Sequence, residues 1–111
     1  MAEKSYTSIE QSKTLAEILP IESADMIYPS DFDFPFVWIE KPKKDKNATP
    51  CWSLAALFSI LAEQDFRINA IGNKFNIDIP IRHCKIWFSS LLDAAFEMVV
   101  WLKKMGKYEK L

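Results

Sequence analysis

Residues 66 to 81, FRINAIGNKFNIDIPI, constrain the fold of this chain more than any other stretch. Two runs alternate large apolar and polar residues on either side of Gly72-Asn73, which is the pattern of a two-residue β-hairpin. A leading glycine in that loop suits a type II′ turn. If Ile71 faces Lys74, then Ala70 faces Phe75, Ile68 faces Ile77 and Phe66 faces Ile79, so every large apolar pair falls on one side. Asn76 and Asp78 then point to water, as one-sided antiparallel sheets prefer. A hairpin with one greasy face cannot stand alone, so the rest of the chain must cover it.

Helices supply the cover. At the N-terminus, Thr7-Ser8-Ile9-Glu10 has the form of a capping box, and Ile9, Leu15, Ala16, Ile18 and Leu19 give an apolar face that Pro20 terminates. This predicts a first helix over 8–19, after a frayed 1–6. A second helix is expected from Thr49 as cap, with Pro50 at the first position, where a missing N–H is harmless. Its residues Trp52, Leu54, Ala55, Leu57, Phe58, Ile60 and Leu61 leave almost no polar side, so it should be central and end near Glu63 or Gln64. Ser89 or Ser90 caps a third helix in which Leu92, Ala95, Phe96, Val99 and Leu102 recur at three and four. Lys103 and Lys104 complement its dipole and Gly106 offers the stop. Met98, Val100 and Trp101 lie partly off that face, so either two layers enclose this helix or a partner covers the rest.

Between the first two helices, residues 20–35 read as irregular chain dotted with Met26, Ile27, Tyr28, Phe32 and Phe34, with one short turn starting at Ser23-Ala24-Asp25. FVWIE, 36–40, reads as a short strand that Pro35 marks as an edge. RHCKIWF, 82–88, reads as a third strand after the break at Pro80, with Cys84, Ile86 and Phe88 on one face. The expected order is helix, strand, helix, hairpin, strand, helix. That is one α+β domain over 1–111, three helices packed on one face of a small, mostly antiparallel sheet. Half of the 111 residues are apolar and 14% aromatic, which is enough for a single core.

Several function classes lose support from composition alone. A formal charge of −1 leaves no global footprint for nucleic acid. Lys41, Lys43, Lys44 and Lys46 form a local lysine run that reads as a solvated loop, with nucleic-acid contact as its weaker alternative. Two cysteines 33 positions apart form neither a disulfide framework nor a zinc pattern, no cofactor or metal is implied, and Asn47-Ala48-Thr49 reads as a chance sequon. The absence of a signal peptide or a membrane-length apolar run makes the cytoplasm the expected location.

One chemical reading centres on Cys51. At the second position of the expected helix its sulfur would sit near free N–H groups and the positive dipole end, which lowers a thiol pKa. His83, the sole histidine, is the candidate base, with Asp78 or Asn76 to orient it. CWSLAAL is similar to the helix-start cysteine of papain-like peptidases, but the glycine-rich approach of that class is missing and Pro50 supplies no N–H for an oxyanion. The opposing reading takes Cys51 as a small core residue and His83 as a surface or satisfied strand residue.

Four tryptophans supply another reading. Trp38 and Trp87 on expected strands, Trp101 on a helix apolar nearly all round, and Tyr28 in the apolar loop form a candidate protein interface. Taken together, YTSIEQSKTLAEILPIESADM (6–26), PCWSLAAL (50–57) and DAAFEMVVWL (93–102) resemble a family of small uncharacterised proteins encoded by gut anaerobes and their phages or mobile elements. The resemblance implies a cytoplasmic protein of mobile-element origin with an accessory binding role, and carries over no catalytic residue. The leading expectation is a non-enzymatic interaction module, self-associating or binding a host or phage protein through an aromatic surface near the third helix and the 26–38 loop. A thiol-dependent hydrolase or transferase using Cys51 and His83 is the alternative.

Overall fold

The computed structural model describes residues 5–30, 33–37, 48–63, 65–80 and 85–105, the last without its side chain. Trp38, the lysines of 41–46, His83, Cys84 and Gly106 lie outside the described residues. The chain has the expected α+β class. Three helices combine with two small antiparallel sheets, one of three strands and one of two.

α1 spans Ile9–Ala16 and opens on a capping box shifted one residue from expectation. Ser8 Oγ accepts from Gln11 N–H at 3.1 Å and Gln11 Oε1 accepts from Ser8 N–H at 3.0 Å. The reason is that Thr7, the other candidate cap, is drawn into the core and fully buried. The helix also stops before residue 19. Ile18 and Leu19 donate to the Leu15 carbonyl in a closing turn, and Leu19 still reaches the core ahead of Pro20.

The apolar 20–35 stretch is more ordered than its prolines suggest. A 3-10 turn at Ile21–Ser23 leads into β1, Met26–Tyr28, which forms the centre of the larger sheet. β2, Phe36–Val37, is one edge, as Pro35 indicates, and β3, Thr49–Cys51, is the other. β3 corrects the expected helix start. Residues 49–51 are extended because β1 pairs with them, Met26 with Cys51, Ile27 with Pro50 and Tyr28 with Thr49. An edge strand tolerates a proline that cannot donate. α2 begins later, at Leu54–Leu61, with Ser53 as its cap accepting from Ala56 N–H at 3.1 Å. Ser53 is as good a cap as Thr49, and Asp25 holds it in place through its backbone N–H at 2.9 Å and its hydroxyl.

The smaller sheet is the hairpin in its expected register, β4, Arg67–Ile71, against β5, Lys74–Asp78, with Ile68 opposite Ile77 and Ala70 opposite Phe75. Gly72 has φ +59°, and no non-glycine among the described residues has positive φ. That combination fits type II′ and excludes type I′, which needs positive φ at Asn73 as well. Asn76 does not point to water. It is buried, and its Oδ1 accepts from Asn69 Nδ2 at 2.8 Å while Asp78 Oδ2 accepts from the same nitrogen at 2.9 Å. The expected strand at 82–88 reduces, among its described residues 85–88, to one bridge in which Phe75 and Phe88 exchange hydrogen bonds at 2.8 and 2.7 Å.

α3, Leu91–Met105, starts at Ser90, whose Oγ accepts from Asp93 N–H at 3.1 Å. It packs on β5 and α2 together, which explains why it is apolar on more than one side. Leu92, Ala95, Met98, Val99 and Leu102 are buried there, joined by Leu57, Ile60, Leu61, Ile77 and Ile79 from its neighbours. Gln11 Nε2 donates to Asp93 Oδ1 at 2.9 Å and ties α1 to the same helix.

Candidate functional site

Cys51 sits on β3, two residues ahead of the Ser53 cap, so α2 does not present its N-terminal N–H groups to the sulfur as a second-position cysteine would experience. The residue is fully buried. What surrounds it is a polar seam centred on Thr7. Residues 5–7 run beside 52–54, with Thr7 N–H donating to the Trp52 carbonyl and Leu54 N–H to that of Ser5, both at 2.9 Å. Thr7 Oγ1 accepts from Trp52 N–H at 3.2 Å, meets Ser12 Oγ at 2.7 Å and lies 3.5 Å from Cys51 Sγ. The Thr7 carbonyl accepts from Tyr28 Oη at 2.7 Å and from Cys51 Sγ at 3.4 Å.

Electrostatics keeps both acids of this seam neutral. Burial pushes the Cys51 thiol up, against hydrogen bonds from Thr7 and Ser12 that pull it down, and nearby Asp25 adds to the rise. Tyr28 is pushed up to about 12, by burial first and then by Cys51 and Tyr6 beside it. A neutral, enclosed thiol is a poor nucleophile. A second polar link runs outward from Trp52, whose fully buried indole donates through Nε1 to Ser23 Oγ at 2.9 Å, and Ser23 donates on to the Pro20 carbonyl at 2.6 Å. Among the described residues no buried side-chain nitrogen or oxygen lacks a partner. Fully satisfied buried networks of this kind fix one arrangement of a core.

The seam was hidden in the sequence by its small polar members. Thr7 and Ser8 are two adjacent hydroxyls where a helix needs one cap, and Ser12 interrupts the face that carries Leu15. Those surplus hydroxyls are the signal that could have located it. Two surface depressions lie elsewhere. One of about 400 Å³ is bounded by Glu22, Asp25, Ala55, Ser59 and Glu63, and one of about 190 Å³ by Asp65, Arg67, Asp78 and Pro80. Neither is lined by Cys51. Among the described residues no three His, Cys, Asp or Glu side chains gather in a way that could hold a metal ion.

The candidate interface residues scatter. Tyr28 is only 5% exposed and belongs to the seam, so it is a core residue and not a contact surface. Trp101 is half-buried against the core, and Trp87 is exposed. Among the exposed apolar groups, Phe34, Phe36 and Val37 around β2 fall within the 26–38 segment expected to contribute to a contact surface, whereas Ile68, Ile71 and Ile86 near the hairpin were not among the candidates. Phe34 and Phe36 rings lie 5.3 Å apart, as residues two apart on one side of an extended chain can.

No protein-family model, curated protein or solved structure matches the chain. Among the described residues no helix is long and apolar enough to cross a membrane.

Proposed function

We propose that the protein is a non-enzymatic protein–protein interaction module whose contact surface is built around β2. The observation that carries this reading is the exposure of Phe34, Phe36 and Val37, at 52%, 43% and 70%, on and beside an edge strand. Clustered aromatic and branched side chains left in water favour a covering partner. The thiol reading requires Cys51 to reach both solvent and a base. Its sulfur is enclosed by Thr7, Ser12 and Tyr28, and no observation favours that alternative. The interaction reading takes the protein as cytoplasmic and, on the resemblance of three segments, as the product of a phage or mobile element.

Site-specific photocross-linking in the cell of origin tests it. A benzoylphenylalanine at position 37 is expected to capture a protein that the same group at the exposed Lys13 does not. Equal capture at both positions, or none at 37, contradicts the reading.

A further inference from the structure

The hairpin carries a second, separate opportunity for contact, in its backbone. In a two-residue hairpin the residues flanking the loop, here Ile71 and Lys74, exchange both hydrogen bonds, and exchange then alternates along the ladder. Asn69 with Asn76 and Arg67 with Asp78 therefore bond inward. Ile68 and Ala70 stand in the intervening pairs, so their N–H and C=O groups point away from β5. The phase is corroborated by Phe75, the partner of Ala70, whose N–H and C=O turn the other way and bond to Phe88.

β5 is thus paired on both sides at Phe75, while β4 has no strand on its outer side among the described residues. Both faces of β4 are open as well. Arg67, Ile68, Ala70 and Ile71 are exposed, Ile68 at 42% and Ile71 at 68%. Edge strands are ordinarily guarded by charged side chains, lysine above all, by proline or by a bulge. RINAI has a single charge, Arg67 at its end, no lysine or proline, and its pairing with β5 runs unbroken over five residues.

We propose that β4 pairs antiparallel with β4 of a second copy, joining two hairpins into a four-stranded sheet. The strand is its own complement when the two-fold axis passes at Asn69. Ile68 then faces Ala70 of the other copy, and Ala70 faces Ile68, which gives four hydrogen bonds and uses every outward group of the strand. Charge agrees with this register. Arg67 is the one charged residue of β4, and it falls opposite Ile71. The two arginines end at opposite ends of the ladder, about 13 Å apart at the usual rise per residue, beyond a Debye length of about 8 Å. A register that slid Arg67 against itself would oppose like charges. Ile68 and Ala70 of both copies meanwhile extend the apolar face of Phe75 and Ile77. A ladder this short belongs with small, transient interfaces, so the dimer is concentration-dependent.

This inference rests on the interaction reading only in treating the protein as a binding module, because β2 lies in the other sheet. Light scattering from low micromolar to millimolar protein is expected to show the mass rising from 12.9 kDa towards twice that value. Hydrogen exchange of the Ile68 and Ala70 amides should slow over the same range, while those of Arg67, Asn69 and Ile71 stay protected throughout. Ile68→Lys should abolish the rise, and Ala70→Pro should do the same by removing an outward N–H without touching the bonds to β5. A monomer at millimolar concentration overturns the proposal, as does a dimer that survives Ile68→Lys in a folded protein. Either result leaves the β2 surface to be judged by its own cross-linking.

Discussion

The Thr7 seam and the β4 edge are opposite treatments of backbone and polar groups in one small protein. At the seam, a threonine, a serine, a cysteine and a tyrosine are buried, and each finds a partner inside. At the edge, four of five consecutive residues are exposed to water, and two of them aim backbone hydrogen-bonding groups outward. Burial makes the difference. An unpaired polar group inside costs about 1 to 3 kcal/mol, so the seam must be complete within the chain. An exposed edge is solvated at little cost and can wait for another strand. Thr7, Ser12, Cys51 and Tyr28 therefore spend their polar groups on one another and on the backbone of the core, and the plainer hairpin faces outward.

Substitutions should separate the two regions, and the largest effect belongs to the seam. Trp52→Ala removes a fully buried indole between β3 and α2, and is expected to cost about 3 to 5 kcal/mol in chemical denaturation. Thr7→Val keeps the shape of the side chain but strands Trp52 N–H and Ser12 Oγ. A loss of about 3 kcal/mol is expected from two unpaired buried groups, and a loss under about 0.5 kcal/mol would break the contrast. Neither variant should change self-association once folded.

Alkaline pH probes the same region more gently. Because Cys51 and Tyr28 titrate later in the folded chain than in the unfolded one, the unfolded chain binds fewer protons at high pH, and stability falls as pH rises. Their contribution is expected to be intact below about pH 9 and lost as pH rises through 10.0 towards about 12. Tyr28→Phe should flatten that decline in urea unfolding followed against pH. A decline of equal steepness in the variant would contradict the assignment to the seam.

The smallest effects lie in the hairpin. Gly72→Ala meets no atom within 4 Å but holds φ at +59°, so it should cost about 1 to 3 kcal/mol through the backbone alone. Ile68→Lys should change stability by less than about 0.5 kcal/mol while removing self-association. A large loss of stability from that substitution would place Ile68 in the core and remove the contrast from the other side.

How much of this was legible depended on whether the signal was local. The hairpin register could be read because turn chemistry and period two agree within sixteen residues. α3 could be read from its spacing, apart from which of its sides would be covered. Thr49-Pro50 misled because a good helix start is also a good edge strand, and β1, some 23 residues earlier, decides between them. Thr7 misled for the same reason, since its neighbour Ser8 could take the cap and leave it for the core. Asn76 was expected in water because alternation gives the side of a sheet a residue occupies but not what covers that side. For Cys51 the core reading holds, since the residue is fully buried, while the helix start that gave it an electropositive surrounding is replaced by a strand.

Alkylation of Cys51 against pH, in a Cys84→Ser background, tests the sealed seam most directly. The sulfur should stay unlabelled in the native protein from neutral pH past 9, reacting only at the rate of unfolding, and Thr7→Val should speed labelling through its loss of stability. Rapid labelling of the native protein at neutral pH, with the thiolate titrating below about 8.5, would contradict the account and return Cys51 to the surface as a nucleophile.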